Sequence, residues 1–268
     1  MWCVEHRAPR EQDRRAEPEE GPNGEWDENA VEWIRQRLGL EPDATQARVL
    51  ASRQKRVLLN CTRQWGKSTT TAAKAVHHAY TRPESLTLVV SPSARQSGEF
   101  VRKAAGFAMR LGVRPKGDGD NEMSLEFPNR SRMVGLPASE ATIRGFSAVS
   151  LLLVDEAARV SDELYLAIRP MLAVSDGALW LMSTPFGARG FFYDTWTRGG
   201  REWMRVRVPA PECPRISPEF LKQEREAMGE RWFRQEYLCE FVDSGSGVFG
   251  RELVERAITR EVRPLVLR

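Results

Sequence analysis

Four short apolar runs punctuate the chain: Arg56-Val57-Leu58-Leu59, Leu86-Thr87-Leu88-Val89-Val90, Ser150-Leu151-Leu152-Leu153-Val154 and Ala178-Leu179-Trp180-Leu181-Met182. They are continuous rather than alternating. Such runs predict strands buried on both faces of a mainly parallel sheet. Helical patterns fall between them. Lys67 to Tyr80 is Ala-rich, Ala94 to Leu111 is helical, and a helix is expected over Asp162 to Leu172. Met123 to Phe127 and Arg132 to Leu136 predict a hairpin around Pro128-Asn129-Arg130. Alternation of strand and helix implies an α/β, doubly wound domain. In such sheets ligands sit at the carboxyl ends of the strands. Three loops rich in chemistry fall there: after Asn60, after Val154 and after Met182.

The flanks are looser. Residues 1–26 are rich in Arg, Glu, Pro and Gly and read as a disordered leader. Asp27 is expected to cap a helix with Val31, Ile34 and Leu38 on one face and Gly39 closing it. A second short helix follows Asp43. Trp203 to Val208 predicts an edge strand. Ser217 to Met228 and Glu230 to Leu238 predict helices that Trp232, Phe233 and Tyr237 pack onto the sheet. Gly245-Ser246-Gly247 is a flexible break. The expected organisation is therefore a leader, one domain over 27–243, and a tail over 244–268. Helical lid elements are expected around 27–52 and 188–240.

Composition narrows the class only slightly. With 41% hydrophobic and 29% charged residues the chain reads as an ordinary soluble globular protein. A net charge of +3 permits a nucleic-acid partner without demanding one. Most cations are Arg, which suits bidentate phosphate contact, although a GC-rich coding sequence enriches Arg as well. Cys3, Cys61, Cys213 and Cys239 are scattered, with no CxxC pair, so a zinc site or disulfide framework is not expected. No apolar run approaches the ~20 residues a membrane span needs, and the N-terminus lacks the apolar core of a signal peptide.

The loop after the first strand, Asn60-Cys61-Thr62-Arg63-Gln64-Trp65-Gly66-Lys67-Ser68-Thr69, is a variant phosphate cradle. The pattern G-x-x-x-x-G-K-[ST] between a strand and a helix supplies converging amides, a close-approach glycine and a mobile cation. Cys61 takes the first glycine position. By role, Lys67 reaches the β- and γ-phosphates of ATP, the Ser68 hydroxyl binds Mg²⁺, and the amides from Gln64 through Thr69 hold phosphate oxygens. Arg63 is a candidate for the γ-phosphate in cis, or for a nearby salt bridge.

Asp155 and Glu156 emerge at the end of an apolar strand. Asp155 is the candidate metal residue and Glu156 the candidate that polarises the attacking water. The competing reading is an acidic pair opening a helix. Ser183-Thr184-Pro185 follows the next strand and is a candidate γ-phosphate sensor, or a strand-ending turn. Gln46 is a candidate reader of the adenine edge, or a solvated helix residue. Arg144, beside Gly145, is a candidate arginine finger; a DNA-phosphate contact and a surface ion pair are the alternatives. Arg198, Arg201, Arg205 and Arg207 form a charge cluster that reads first as a solvated face.

Together these residues resemble the ATPase domain of the large terminase subunit of tailed bacteriophages. The carrying features are Asp43-Ala44-Thr45-Gln46, Thr62-Arg63-Gln64-Trp65-Gly66-Lys67-Ser68-Thr69, Ile143-Arg144-Gly145, Leu153-Val154-Asp155-Glu156-Ala157 and Ser183-Thr184-Pro185. The resemblance covers about residues 40–250. It implies an ASCE/RecA-like P-loop ATPase, using ATP and Mg²⁺, that pumps double-stranded DNA into a procapsid. It also implies a homo-oligomeric ring, expected to be a pentamer, with portal protein and small terminase subunit as partners in the host cytoplasm. Gln46 then meets adenine, Arg63, Lys67 and Ser68 meet phosphates, Asp155 serves the metal and Glu156 the water. Ser183-Thr184-Pro185 becomes the coupling motif and Arg144 a finger offered to a neighbouring subunit. Such proteins continue into an RNase H-like nuclease domain; this chain stops near the linker, so DNA cleavage is not expected of it. A helicase-like translocase, and a binding module without turnover, are the alternative readings.

Overall fold

Val57, Leu58 and Leu59 are fully buried, and they belong to a strand whose neighbours on either side are also strands. A computed structural model of the chain describes residues 30–113, 123–138 and 145–242. The expected leader, the Asp27 cap, Arg144 and the tail from 244 lie outside the described residues.

The elements are, in order, α1 (Ala30–Leu38), α2 (Ala44–Ala51), β1 (Arg56–Cys61), α3 (Lys67–Thr81), β2 (Leu86–Ser91), α4 (Ala94–Arg110), β3 (Ser124–Glu126) and β4 (Arg132–Pro137). There follow β5 (Leu151–Asp155), α5 (Asp162–Ile168), β6 (Ala178–Ser183), α6 (Gly190–Arg198), β7 (Trp203–Val208), α7 (Pro218–Met228) and α8 (Glu230–Glu236). The sheet order is β3-β4-β2-β5-β6-β1-β7. Every pairing is parallel except the β3–β4 hairpin. β7 pairs only with β1 and forms an edge, as its pattern implied.

The continuous apolar runs are explained by burial on both faces. Val57, Leu59, Val89, Leu151, Leu153, Trp180 and Met182 enter one core with α1 to α4. Their alternates Leu58, Leu88, Val90, Leu152, Val154, Leu179 and Leu181 enter the other with α5 and α6. Each strand therefore removes nearly all its side chains from water, at roughly 25 cal/mol per Å² of apolar surface. This is the mainly parallel, helix-flanked sheet of an ASCE/RecA-like P-loop fold.

Several helices are shorter than their patterns suggested, among them those expected from Asp162 and from Ser217. The run from Asp162 changes to a 3-10 turn over Arg169–Leu172. Pro170 is the reason, since it lacks an N–H and its ring crowds the preceding turn. Ser217 lies just outside α7 as its N-cap, accepting from the Phe220 amide at 3.2 Å. Gly229, at φ +79°, then separates α7 from α8. Among the described residues no helix is long and apolar enough to cross a membrane.

Candidate functional site

β1 ends at Cys61, and the chain turns through Thr62 to Gly66 before entering α3. Gln64 (φ +66°) and Gly66 (φ +96°) both take left-handed conformations. A Cβ on Gly66 would stand 3.1 Å from Gln46 Nε2, so dihedral and space both call for glycine. Trp65 is buried and pins the loop to the core. Its carbonyl accepts from Gln46 Nε2 at 2.8 Å and from Arg215 at 2.6 Å. No side chain caps α3. The first-turn amides at Lys67, Ser68 and Thr69 have no intrahelical acceptor, which makes this helix start suited to an anion.

Lys67 folds back over the loop. Its Nζ donates to the carbonyls of Cys61 at 2.8 Å and Thr62 at 3.2 Å, and to Thr184 Oγ1 at 3.3 Å. The variant Cys61 thus contributes a carbonyl; burial pushes its thiol pKa up, so it stays neutral. Ser68 Oγ donates to Asp155 Oδ2 at 3.0 Å. Burial raises the Asp155 pKa, with Glu156 adding to the effect and Lys67 and Ser68 opposing it. β6 separates β1 from β5 in the sheet, so the loop and the acidic pair face each other across one strand end.

Glu156 has φ +52°. A non-glycine residue there is strained by about 1 kcal/mol or more, a cost that clusters at functional positions. Its carboxylate lies 3.8 Å from Arg159 Nε. Arg159 in turn lies 3.8 Å from Glu236 on α8 and stacks 4.2 Å from the Phe186 ring. Glu236 also pairs with Arg63 Nε at 2.8 Å. Four charged side chains therefore run from the phosphate loop through α8 to the end of β5.

The Ser183-Thr184-Pro185 turn touches both halves. Ser183 Oγ accepts from the Ala158 amide at 3.2 Å, beside the acidic pair. Thr184 Oγ1 donates to Cys61 O at 3.2 Å while accepting from Lys67. Pro185 is buried. The α7–α8 segment is fastened to the same place. Asn60 Nδ2 donates to Cys239 O at 3.0 Å, Thr62 Oγ1 to Glu236 O at 3.0 Å, and Gln235 Oε1 accepts from the Gly187 amide at 2.9 Å.

The structure therefore brings together Gln46, Arg63, Gln64, Trp65, Gly66, Lys67, Ser68, Thr69, Asp155, Glu156, Ser183, Thr184 and Pro185. Gln46 stands against the loop with much of its amide engaged, because its oxygen also accepts from the Asp43 amide at 3.0 Å in a capping box. Arg63 adopts the salt-bridge alternative. Arg144 lies outside the described residues. In the arginine cluster Arg205 donates to carbonyls at the end of α6, including Trp196 O at 2.9 Å, and Arg207 donates to Leu238 O at 2.6 Å. Arg198 pairs with Asp194 at 3.7 Å. Arg205 ties the end of α6 to β7, while Arg198, Arg201 and Arg207 are exposed, as a solvated face implies. Residues missed by sequence reasoning are Arg159, Glu236, Gln235 and Arg215. Arg159 meets Glu156 locally, three residues on, but carries no motif; Glu236, Gln235 and Arg215 meet the site only through tertiary packing.

The chain is similar to known proteins over most of its length. The family model described as "Terminase large subunit, T4likevirus-type, N-terminal" matches residues 58–256. The large terminase subunit of Thermus virus P23-45 is 27% identical over 248 residues, covering 79% of this chain and 51% of that protein. The probable large terminase subunit of Enterobacteria phage P7 is 30% identical over 139 residues, covering 47% of this chain and 28% of that protein. The chain thus spans about half the length, or less, of these curated relatives. The solved ATPase domain of the Thermus phage P74-26 large terminase has the same fold, with a TM-score of 0.71 at 23% identity over 80% of this chain and 99% of that one. The large terminase of a thermophilic bacteriophage, solved in complex with ATP-gamma-S, gives a TM-score of 0.60 at 12% identity over 81% of this chain and 52% of that one. With the match spanning most of the sheet and every strand-end loop of the site, this chain belongs to the large terminase subunit family, as its T4likevirus-type N-terminal region.

Proposed function

We propose that the chain hydrolyses ATP at the ends of β1, β5 and β6 and couples that reaction to translocation of double-stranded DNA into a procapsid. The observation that carries the reading is the convergence of Lys67, Ser68, Asp155 and Thr184 at one strand end. The thermophilic-phage terminase of the same fold has been solved with ADP and with ATP-gamma-S, which supports a nucleotide in this loop.

In this reading the first-turn amides of α3 and the Lys67 ammonium bind the β- and γ-phosphates. Ser68 and Asp155 offer two hard oxygens 3.0 Å apart, a donor set that fits Mg²⁺. Among the described residues no group of three or more His, Cys, Asp or Glu could hold a metal ion. When bound, Mg²⁺ neutralises charge on the phosphate oxygens. Glu156 orients a water and takes its proton as the water oxygen bonds to the γ-phosphorus and the bond to ADP breaks. Arg63 leaves Glu236 for the γ-phosphate, and Thr184 and Ser183 relay its departure to the loop and the acidic turn. Arg144 acts in trans on a neighbouring subunit of a homo-oligomeric, pentameric ring. Portal protein and small terminase subunit are the proposed partners, in the bacterial host cytoplasm. Gln46 contacts adenine with its remaining amide capacity.

Mixing tests the ring. Arg144→Ala and Lys67→Ala chains, each inactive alone, regain part of the phosphate release when combined if Arg144 acts in trans. No recovery at matched assembly contradicts that role.

A further inference from the structure

At the edge of the sheet opposite the phosphate loop, where β1, β5 and β6 begin, a cavity of about 330 Å³ opens beside the second half of α3. Its charged lining is Arg53 and Lys55 from the α2–β1 loop, Lys74 and Arg82 with His78 along α3, and Asp176 before β6. Lys74, His78 and Arg82 are spaced i, i+4 and i+8, so they share one face of the helix and its C-terminal end. Four permanent cations thus face one carboxylate, and that carboxylate is already paired with Lys55.

The hydrogen bonds define the ring between them. Ser150 Oγ donates to Leu86 O at 2.9 Å. Its remaining contact, with His78 Nε2 at 2.8 Å, is therefore one in which the ring N–H donates. His78 Nδ1 then accepts from the Arg82 guanidinium. The imidazole is neutral: burial, then the charges of Arg82 and Lys74, hold its pKa well below the ordinary value. Lys74 Nζ donates to Leu50 O at 2.8 Å and lies 5.8 Å from the Trp180 ring centre. Hydroxyls of Ser52, Ser150 and Ser175 complete a polar rim.

A cation at a helix C-terminus offsets the macrodipole, and that accounts for Arg82. It does not account for Arg53 and Lys55, which approach from another segment. We propose that this cavity is a second anion site, taking an oxyanion of the phosphate class. The same chemistry is offered by a phosphodiester of a nucleic-acid backbone and by free inorganic phosphate. The site is separate from the nucleotide loop, although α3 carries both: Ser68 and His78 are about 15 Å apart along the helix at roughly 1.5 Å per residue.

The test is nitrogen NMR of the histidine rings in the full chain, which has 3 His, with His78→Gln assigning the signal. Inorganic phosphate and a short duplex DNA are titrated separately, into the wild type, into Lys67→Ala, and into the double variant Arg53→Glu, Lys55→Glu at two exposed positions. The His78 signal should shift saturably with at least one ligand. The shift should persist in Lys67→Ala and weaken at least tenfold in the charge-reversed variant. If duplex is the ligand, the slope of log affinity against log salt should fall by about two in the charge-reversed variant. A response to duplex alone assigns a nucleic-acid backbone; a response to phosphate alone assigns the free anion; both support the site. No shift with either ligand overturns the proposal. So does a shift abolished by Lys67→Ala, or one unchanged in a charge-reversed variant that circular dichroism finds folded.

Discussion

The Ser68 hydroxyl donates to an Asp155 carboxylate oxygen at 3.0 Å, joining the first turn of α3 to the end of β5. Neither residue is near the other in sequence. The contact follows from β6 lying between β1 and β5, which points both strand ends at one spot. It also places a carboxylate where burial disfavours its charge.

That cost is measurable. The folded-state pKa of Asp155 is raised, so the protonated form is favoured by the fold and the contribution to stability is lost as pH rises through the folded pKa. Asp155→Asn should therefore melt higher than wild type at pH 8 without divalent cation. The gap should close as the pH falls toward about 4, the ordinary Asp value. The same variant should lose the extra stabilisation that Mg²⁺ adds to bound nucleotide. A lower melting temperature at pH 8 contradicts the burial cost.

Glu156→Gln keeps the size of the side chain and removes the base. Nucleotide affinity should change little while turnover falls about 100-fold or more. Filter binding and phosphate release on the same preparation separate the two effects. Normal turnover rules out the water-polarising role.

Glu236→Gln removes the partner shared by Arg63 and Arg159. Arg63 is largely exposed, so the pair with Glu236 should stabilise by about 1 kcal/mol or less, a loss of roughly 2–4 °C in melting temperature. A kinetic change larger than the stability change is expected, because Arg63 is freed from α8. Steady-state kinetics that match wild type would remove Glu236 from the coupling scheme.

Gly66→Ala combines a left-handed dihedral with a Cβ 3.1 Å from Gln46 Nε2. The dihedral alone costs about 1–2 kcal/mol. Gly66→Ala should therefore bind nucleotide more weakly than wild type in filter binding. Equal affinity in Gly66→Ala and wild type would mean that the loop does not bind phosphate in this conformation.

Much of this was legible before folding. Leu58 and Leu59 alternate between two cores, so a run without polar positions already implied a sheet covered on both sides. Lys67, Ser68, Asp155 and Thr184 were legible because their chemistry is set by position at strand ends. Glu236 was not, since α8 reaches the loop only by folding back, fastened by Thr62 and Asn60 to backbone carbonyls. Arg198, Arg201 and Arg207 are exposed, as a solvated face implies, while Arg205 is partly buried and its guanidinium is spent on carbonyls at the end of α6. Composition cannot distinguish those uses.

The central claim is that the Lys67–Glu156 site hydrolyses ATP and that DNA speeds the reaction. Phosphate release by the full chain, with and without duplex DNA, measures this directly, with Lys67→Ala and Glu156→Gln as paired controls. The account predicts release by wild type, stimulation by duplex, and loss in both variants. Wild type that binds ATP but releases no phosphate with DNA at high protein concentration, or variants that match wild type, would contradict it.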